Sequence, residues 1–312
     1  MAMAFDRQTA RSTLAELAQS GVYVGTSSWK YPGWRGLLYD DARYVYRGKF
    51  AETRFERNCL AEYAEVFKTV CVDAAYYKFP DSRYLQDLVS QVPADFQFAF
   101  KVTDDITIKR FTNLPRFGAR AGTLNAHYLD AELFKDRFLK PCEPFMANVG
   151  LMMFEFSRFH ASDYAHGREF LAALDRFLGV LPRGLPYGVE MRNREWLRAE
   201  YFECLAAHGV THIFNSWEAM PEVGEQMALP GSFTRPDLTA ARFLLKPGRR
   251  YEEAVRMFQP YHETKEVNEA VRTAGRKLIA QGRAKRKNAK AFIYVNNRLE
   301  GNALETIGAM IR

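Results

Sequence analysis

Cysteine is scarce in this 312-residue chain, and no two cysteines are spaced as a C-x-x-C pair. Cys59, Cys71, Cys142 and Cys204 stand far apart, so four reduced thiols in a cytoplasmic protein are expected rather than a disulfide framework. No apolar run approaches the roughly 18–20 residues that span a bilayer, so no membrane partner is expected. The first sixteen residues carry Asp6, Arg7 and Arg11 and lack the hydrophobic stretch of a secretory signal. Also missing are a G-x-x-x-x-G-K-S/T phosphate loop, a G-x-S-x-G elbow and an H-E-x-x-H helix. The six histidines (His127, His160, His166, His208, His212 and His262) do not gather with carboxylates at strand ends. No metal and no other cofactor is therefore expected, and His212, early in a strand, reads as a core histidine. Charge of one sign does not dominate: 44 Lys and Arg face 37 Asp and Glu, a net charge of +7. That balance is compatible with an anionic partner without identifying one. Hydrophobic residues at 47% exclude a disordered or collagen-like chain.

What is present is a rhythm. Short β-branched, aromatic and aliphatic runs recur at Val22–Ser28, Thr69–Ala74, Gln97–Val102, Val149–Phe156, Tyr187–Arg192, Thr211–Trp217, Ala241–Lys246 and Ala291–Asn297. Helix-like stretches separate them. Residues 51–67 place Phe55, Leu60, Tyr63, Ala64 and Phe67 at helical spacing, and residues 165–181 repeat the stripe with Phe170, Leu174, Phe177 and Leu178. Residues 199–208 before Gly209, 265–279 and 302–311 complete the helical set. Eight strand–helix alternations predict an α/β fold, a single (β/α)8 TIM-type barrel. No composition break divides the chain. One barrel domain is expected over residues 21–312, with residues 1–20 as an N-terminal helical extension.

Strand side chains alternate between faces. Alternation puts Cys71 and Asp73 on the inner face together, as it does Ala99 with Lys101, Met153 with Glu155, and Glu190 with Arg192. A charged ring of Asp73, Lys101, Glu155, Glu190 and Arg192 is thus expected at the C-terminal strand ends, where barrel enzymes place their chemistry. Asn215 and Asn296 end two further strands. Mutual pairing of such charges is a sufficient structural explanation; acid, base and anion clamp is the functional one. Two long insertions, residues 29–49 and 102–125, leave the same face. The first, W-K-Y-P-G-W-R-G-L-L-Y, interleaves Trp29, Tyr31, Trp34 and Tyr39 with Lys30 and Arg35. Such a loop can stack on rings and contact phosphate, or simply cover the barrel top. A basic tract (Arg276, Lys277, Arg283, Lys285, Arg286, Lys287, Lys290) can follow a phosphate backbone, although a solvated helix end is the commoner explanation. Gly248-Arg249-Arg250 follows the seventh strand, where barrels often bind phosphate.

Val24-Gly25-Thr26-Ser27-Ser28-Trp29 with Tyr31 and Trp34 resembles the opening G-T-S-G-W-x-Y-x-x-W of the YecE-like family, a domain of unknown function. The likeness continues through Phe67–Val70, Tyr77 and Pro80, Phe96–Val102, Gly150–Phe156, Val189–Trp196 and Val295–Ala303, nearly the whole chain from residue 22. It implies a TIM-type barrel related in shape to xylose-isomerase-like and endonuclease-type barrels, and no settled activity. Glu190, Arg192 and Trp196 match the pattern residue by residue. The chain departs from it at Cys71-Val72-Asp73, where Glu-x-Asn is usual, at Glu155 in place of Gln, and at Ser28 in place of Gly. The Arg and His expected near the end of strand seven look replaced by Leu245 and Pro247.

Three function classes remain open on these residues. One is a hydrolase or lyase acting on a phosphorylated or nucleic-acid substrate, with Glu190, Glu155, Asp73 and Lys101 as catalytic candidates. Arg192, Trp29, Tyr31, Trp34, Trp196, Asn215 and Asn296 would then contact the small-molecule or anionic substrate. A second is a non-enzymatic ligand cradle. A third is a carbohydrate-active enzyme, whose usual carboxylates lie on strands four and seven; the seventh run here has none.

Overall fold

The computed structural model describes residues 5–285 and 288–312. Eight strands close into a barrel: β1 (Val22–Thr26), β2 (Thr69–Val72), β3 (Gln97–Lys101), β4 (Val149–Phe156), β5 (Tyr187–Met191), β6 (Thr211–Ser216), β7 (Leu238–Phe243) and β8 (Lys290–Val295). All neighbours run parallel, and a Thr26–Val70 pairing between β1 and β2 closes the cylinder. The expected TIM-type barrel is the observed one.

Period-two alternation builds two cores. Cys71, Ala99, Leu151, Met153, Ile213, Leu238, Ala240, Phe292 and Tyr294 fill the barrel interior. Phe96, Phe98 and Phe100 of the β3 segment point the other way, into the layer under the helices. Two glycines are required by close approach rather than by flexibility. A Cβ on Gly25 would stand 2.3 Å from the Thr69 carbonyl oxygen across the closing seam, and one on Gly150 would stand 2.4 Å from the Phe292 ring inside the barrel.

The helices of eight residues or more in the outer layer are α1 (Arg7–Gln19), α2 (Glu52–Ala64), α3 (Ser82–Val89), α4 (Gly167–Gly179), α5 (Ala199–Ala207), α6 (Tyr251–Phe258), α7 (Glu269–Arg283) and α8 (Ala303–Met310). The first precedes β1, as expected of the N-terminal extension. It is capped by Asp6, which accepts from the Thr9 N–H, and buries Ala10, Leu14 and Leu17. Residues 1–4 of that extension lie outside the described residues. Asn302 caps the last helix by accepting from Leu304 and Glu305 N–H groups at 2.8 and 3.3 Å. Among the described residues no helix is long and apolar enough to cross a membrane.

Two elements are displaced along the chain from the sequence pattern. The helix expected at 265–279 begins after Asn268, whose side chain accepts from the Val271 N–H at 3.2 Å and so sets the first turn. The strand expected at Ala241–Lys246 is β7, three residues earlier. Its apolar run continues past the strand because Leu244 and Leu245 pack with Ala254, Phe258 and Tyr261 in a separate cluster above it. Both insertions leave C-terminal strand ends. The first holds 3-10 turns at Pro32–Trp34 and Asp41–Tyr44 and a two-residue hairpin, Val45–Tyr46 with Lys49–Phe50. The second holds a short helix, Asp104–Thr107, and a 3-10 stretch, Pro115–Arg120.

Candidate functional site at the C-terminal mouth of the barrel

Alternation along four strands aims charge into one point. Ala99 leads to Lys101 on β3, Met153 to Glu155 on β4, Gly188 to Glu190 on β5 and Ala240 to Arg242 on β7, with Arg192 just past β5. A single oxygen, Glu155 Oε2, accepts from Lys101 Nζ, Arg192 Nη2 and Arg242 Nη1, each at 2.8 Å. Glu190 bridges the two guanidiniums, with Oε1 taking Arg192 Nε and Nη2 at 2.9 and 2.8 Å and Oε2 taking Arg242 Nη1 at 2.6 Å. Asp73, just past β2, stands off at 3.6 Å from Arg242 Nη2. Its side chain is 35% exposed, against 3% for Glu155 and 0% for Glu190. The structure therefore brings together Asp73, Lys101, Glu155, Glu190 and Arg192 of the expected ring.

Burial by itself would raise the Glu155 carboxyl, but the charges of Arg192, Lys101 and Arg242 outweigh it and hold the group far below the usual carboxylate range. Burial would likewise lower Lys101, and Glu155 reverses that, so the ammonium stays charged. Arg192 and Arg242 are raised by the same carboxylates against the pull of burial. Burial pushes the Cys71 thiol well up, so it is no nucleophile beside this ring. A carboxylate locked by three cations is a poor proton carrier, because giving up its charge would strand them in a desolvated place.

Aromatic faces surround the ring. Lys101 Nζ lies 3.7 Å from the centre of the Tyr76 ring, and the Arg192 guanidinium lies 3.9 Å from that of Trp217. Further out, Arg116 covers Tyr77 at 4.9 Å and Arg298 covers Tyr251 at 4.6 Å. Tyr77 is 63% exposed.

Several expected substrate contacts are placed elsewhere. Trp34 is fully buried and packs against Tyr31 and Tyr39, with ring centres 4.7 and 6.3 Å away. It offers no stacking face, which corrects its assignment to substrate: its loop is packed into the main apolar core, where Tyr39 meets Phe55 of α2 with ring centres 5.1 Å apart. Trp29 is buried too, its carbonyl accepting from the Tyr39 hydroxyl, while Tyr31 remains half-buried and edge-on to Tyr261. Trp196 lies outside the ring, stacked on Phe159 and Phe170 with centres 5.6 and 5.4 Å away, on the wall of a cleft of about 520 Å³ between α4 and α5. Asn215 points into the barrel, donating to the Met191 carbonyl at 3.1 Å; its Oδ1 has no hydrogen-bond partner among the described residues. Asn296 shapes its own turn by accepting from the Arg298 N–H at 3.0 Å.

The basic tract sits at the opposite, N-terminal end. Lys285 Nζ donates to Thr239 Oγ1 and Lys290 Nζ to Gln97 Oε1, both at strand starts, at 2.6 and 2.8 Å. Arg286 and Lys287 lie outside the described residues. Arg249 after β7 is held by Glu266 at 2.5 Å. Metal-capable groups meet away from the mouth. Asp175, Cys204 and His208 have ligand atoms within 4.8 Å of one another on the outer helices. There His208 already pairs with Asp175 at 2.7 Å, and burial pushes the Cys204 thiol up to about 11.

Sequence reasoning missed Arg242, the hub of the ring. Its signal was present: with β7 ending at Phe243, alternation from Leu238 and Ala240 puts Arg242 inward. An arginine therefore does stand at the end of strand seven, at 242. Tyr76 and Trp217, which carry the cations, were missed because an aromatic side chain near a strand end reads equally well as packing.

No curated protein matches the chain in sequence. Solved structures similar in fold include a DUF72 family protein from Enterococcus faecalis V583, with TM-score 0.63 and 18% identity over 93% of this chain and 94% of that one. Another is a DUF72 family protein from Thermotoga maritima MSB8, with TM-score 0.55 and 20% identity over 93% of this chain and 99% of that one. The model of the family described as protein of unknown function DUF72 matches residues 23–312, in line with the YecE-like motifs, and the chain belongs to that family.

Proposed function

We propose that the mouth of the barrel binds a small phosphorylated molecule and that the protein is a hydrolase or lyase acting on it. The observation that carries this reading is the charge balance of the ring. Three cations converge on two fully buried carboxylates, and the third acid, Asp73, is half-exposed and 3.6 Å from its nearest cation. A substrate oxyanion can take the place of Asp73 beside Arg242 while Glu155 and Glu190 keep the guanidiniums aimed. In this reading Lys101, Arg192 and Arg242 hold the anion, and Tyr76, Trp217 and Tyr77 line its path. Asp73, the acid nearest solvent, moves the proton, and Glu155 and Glu190 position the cations rather than transfer protons.

Two observations tell against a carbohydrate-active enzyme and against a nucleic-acid substrate. Arg242 Nη1 bridges Glu155 and Glu190 at 2.8 and 2.6 Å, which leaves no free carboxylate pair for glycoside chemistry. The basic tract and the aromatic loop lie at opposite ends of the barrel, so they do not form one nucleic-acid surface. Four free cysteines fit a reducing, cytoplasmic setting.

A thermal-shift screen of nucleotides, sugar phosphates, oligonucleotides and neutral sugars tests the reading. Phosphorylated small molecules are expected to stabilise the protein. Asp73→Asn is expected to bind them at least as tightly while losing roughly 100-fold or more in turnover. Stabilisation by neutral sugars alone would overturn it.

A further inference from the structure

The end of α5 presents Cys204 and His208 four residues apart, a spacing that stacks two side chains on one face of a helix. Helix α4 lies alongside and contributes Asp175. The His208 ring packs on α4 where that helix is bare: a Cβ at Gly179, one turn after Asp175, would stand 3.6 Å from His208 Cε1. Asp175 Oδ1 lies 2.7 Å from His208 Nε2 and 3.9 Å from Cys204 Sγ, and the three ligand atoms fall within 4.8 Å of one another. The His208 side chain is 11% exposed and that of Asp175 is 61% exposed, so the cluster opens to solvent on the Asp175 side. Cys59, Cys71 and Cys142 are buried, whereas Cys204 is only partly so. An ion pair between Asp175 and His208 accounts for two of the three residues and leaves the thiol idle. Burial, with the Asp175 charge behind it, pushes that thiol up to about 11; a bound dication reverses the effect by taking the thiolate as a ligand.

We propose that Asp175, Cys204 and His208 form a zinc site, a clip joining α4 to α5, with water as the fourth ligand. Thiolate, imidazole and carboxylate together select a borderline-soft cation over magnesium or calcium, which take oxygen ligands. Tetrahedral zinc, with bonds of about 2.0–2.3 Å, sets its ligand atoms roughly 3.3–3.6 Å apart. Asp175 Oδ1 therefore moves away from His208 by roughly half an ångström and slightly toward Cys204, which its exposed side chain can do by rotation. Binding releases the thiol proton to solvent as the sulfur–zinc bond forms. Helices α4 and α5 follow β4 and β5, which carry Glu155 and Glu190, so the clip ties together the outer supports of the two buried carboxylates. The site does not depend on what the mouth binds.

Cobalt(II) and zinc are titrated into the full chain under reducing conditions, and into Cys204→Ser, His208→Gln and Asp175→Asn. Cobalt in such a site reports its thiolate by a charge-transfer absorption in the near ultraviolet. Wild type is expected to bind cobalt with that absorption and to release it to zinc, and zinc should raise the melting temperature. Each substitution should weaken zinc binding about 100-fold, the loss of one ligand, and Cys204→Ser should abolish the charge-transfer absorption. Cobalt bound without that absorption, or zinc held equally by wild type and Cys204→Ser, would place the metal elsewhere and overturn the site. Zinc affinity weaker than about 10 μM would leave a plain Asp175–His208 pair and overturn it as well. Should a variant melt well below wild type before metal is added, the wild-type cobalt spectrum still decides, because the other three thiols are buried.

Discussion

Arg242 is the residue on which the mouth is organised. It ties Glu155 on β4 to Glu190 on β5 from β7, across the barrel axis, and reaches toward Asp73. Removing one partner of a buried ionic set leaves the others uncompensated, so Arg242→Met should cost about 3–5 kcal/mol in chemical denaturation. A loss within about 0.5 kcal/mol would mean that the ring is not built around it. Lys101, Glu155 and Glu190 were legible in the sequence because alternation alone aims them inward. Arg242 was not, because an apolar run that outlasts its strand hides where the strand stops. Trp34 shows the converse: aromatics interleaved with cations look the same whether they stack on a ligand or on one another.

His212 was read as a core residue, and it packs on β6 among Tyr201, Phe202 and Phe214. Burial keeps its ring neutral, lowering its titration from 6.5 to about 3. Between those values the unfolded chain binds one more proton than the folded one. The stability His212 contributes is therefore complete above pH 6.5 and lost as pH falls toward 3. Wild type should lose about 1.4 kcal/mol per pH unit in that window from this residue, and His212→Leu should lose correspondingly less. Parallel pH profiles would contradict the neutral buried ring.

At the scale of elements, the strand and helix rhythm was readable throughout, and boundaries were not. Asn268 starts its helix by a side-chain cap that periodicity ignores. The closing seam depends on a glycine in the opening motif, Gly25, because the Thr69 carbonyl occupies the place of a side chain. Gly25→Ala should push β1 from β2 and cost about 2–3 kcal/mol, read as a lower denaturation midpoint with unchanged slope. An unchanged midpoint would show that the seam can shift at no cost. The final V-N-N…G-N-A run has a similar structural use, since Asn297 accepts from the Ala303 N–H at 2.8 Å and shapes the loop after β8.

At the scale of the whole molecule, the two ends of the barrel do different work. Basic side chains at the N-terminal end are tied to strand starts through Thr239 and Gln97, whereas the C-terminal end gathers paired charge under aromatic faces. Net charge therefore says little about the ligand, and the local ring says more. The central claim is that this ring holds the anionic part of a small phosphorylated ligand. Its most direct measurement is calorimetric titration of the best-stabilising phosphorylated compound and its dephosphorylated form, each into wild type and Lys101→Gln. The account predicts binding of the phosphorylated form to wild type, weakened about tenfold or more both by removing the phosphate and by Lys101→Gln. Equal affinity for the two forms, or equal affinity of the two proteins, would contradict it.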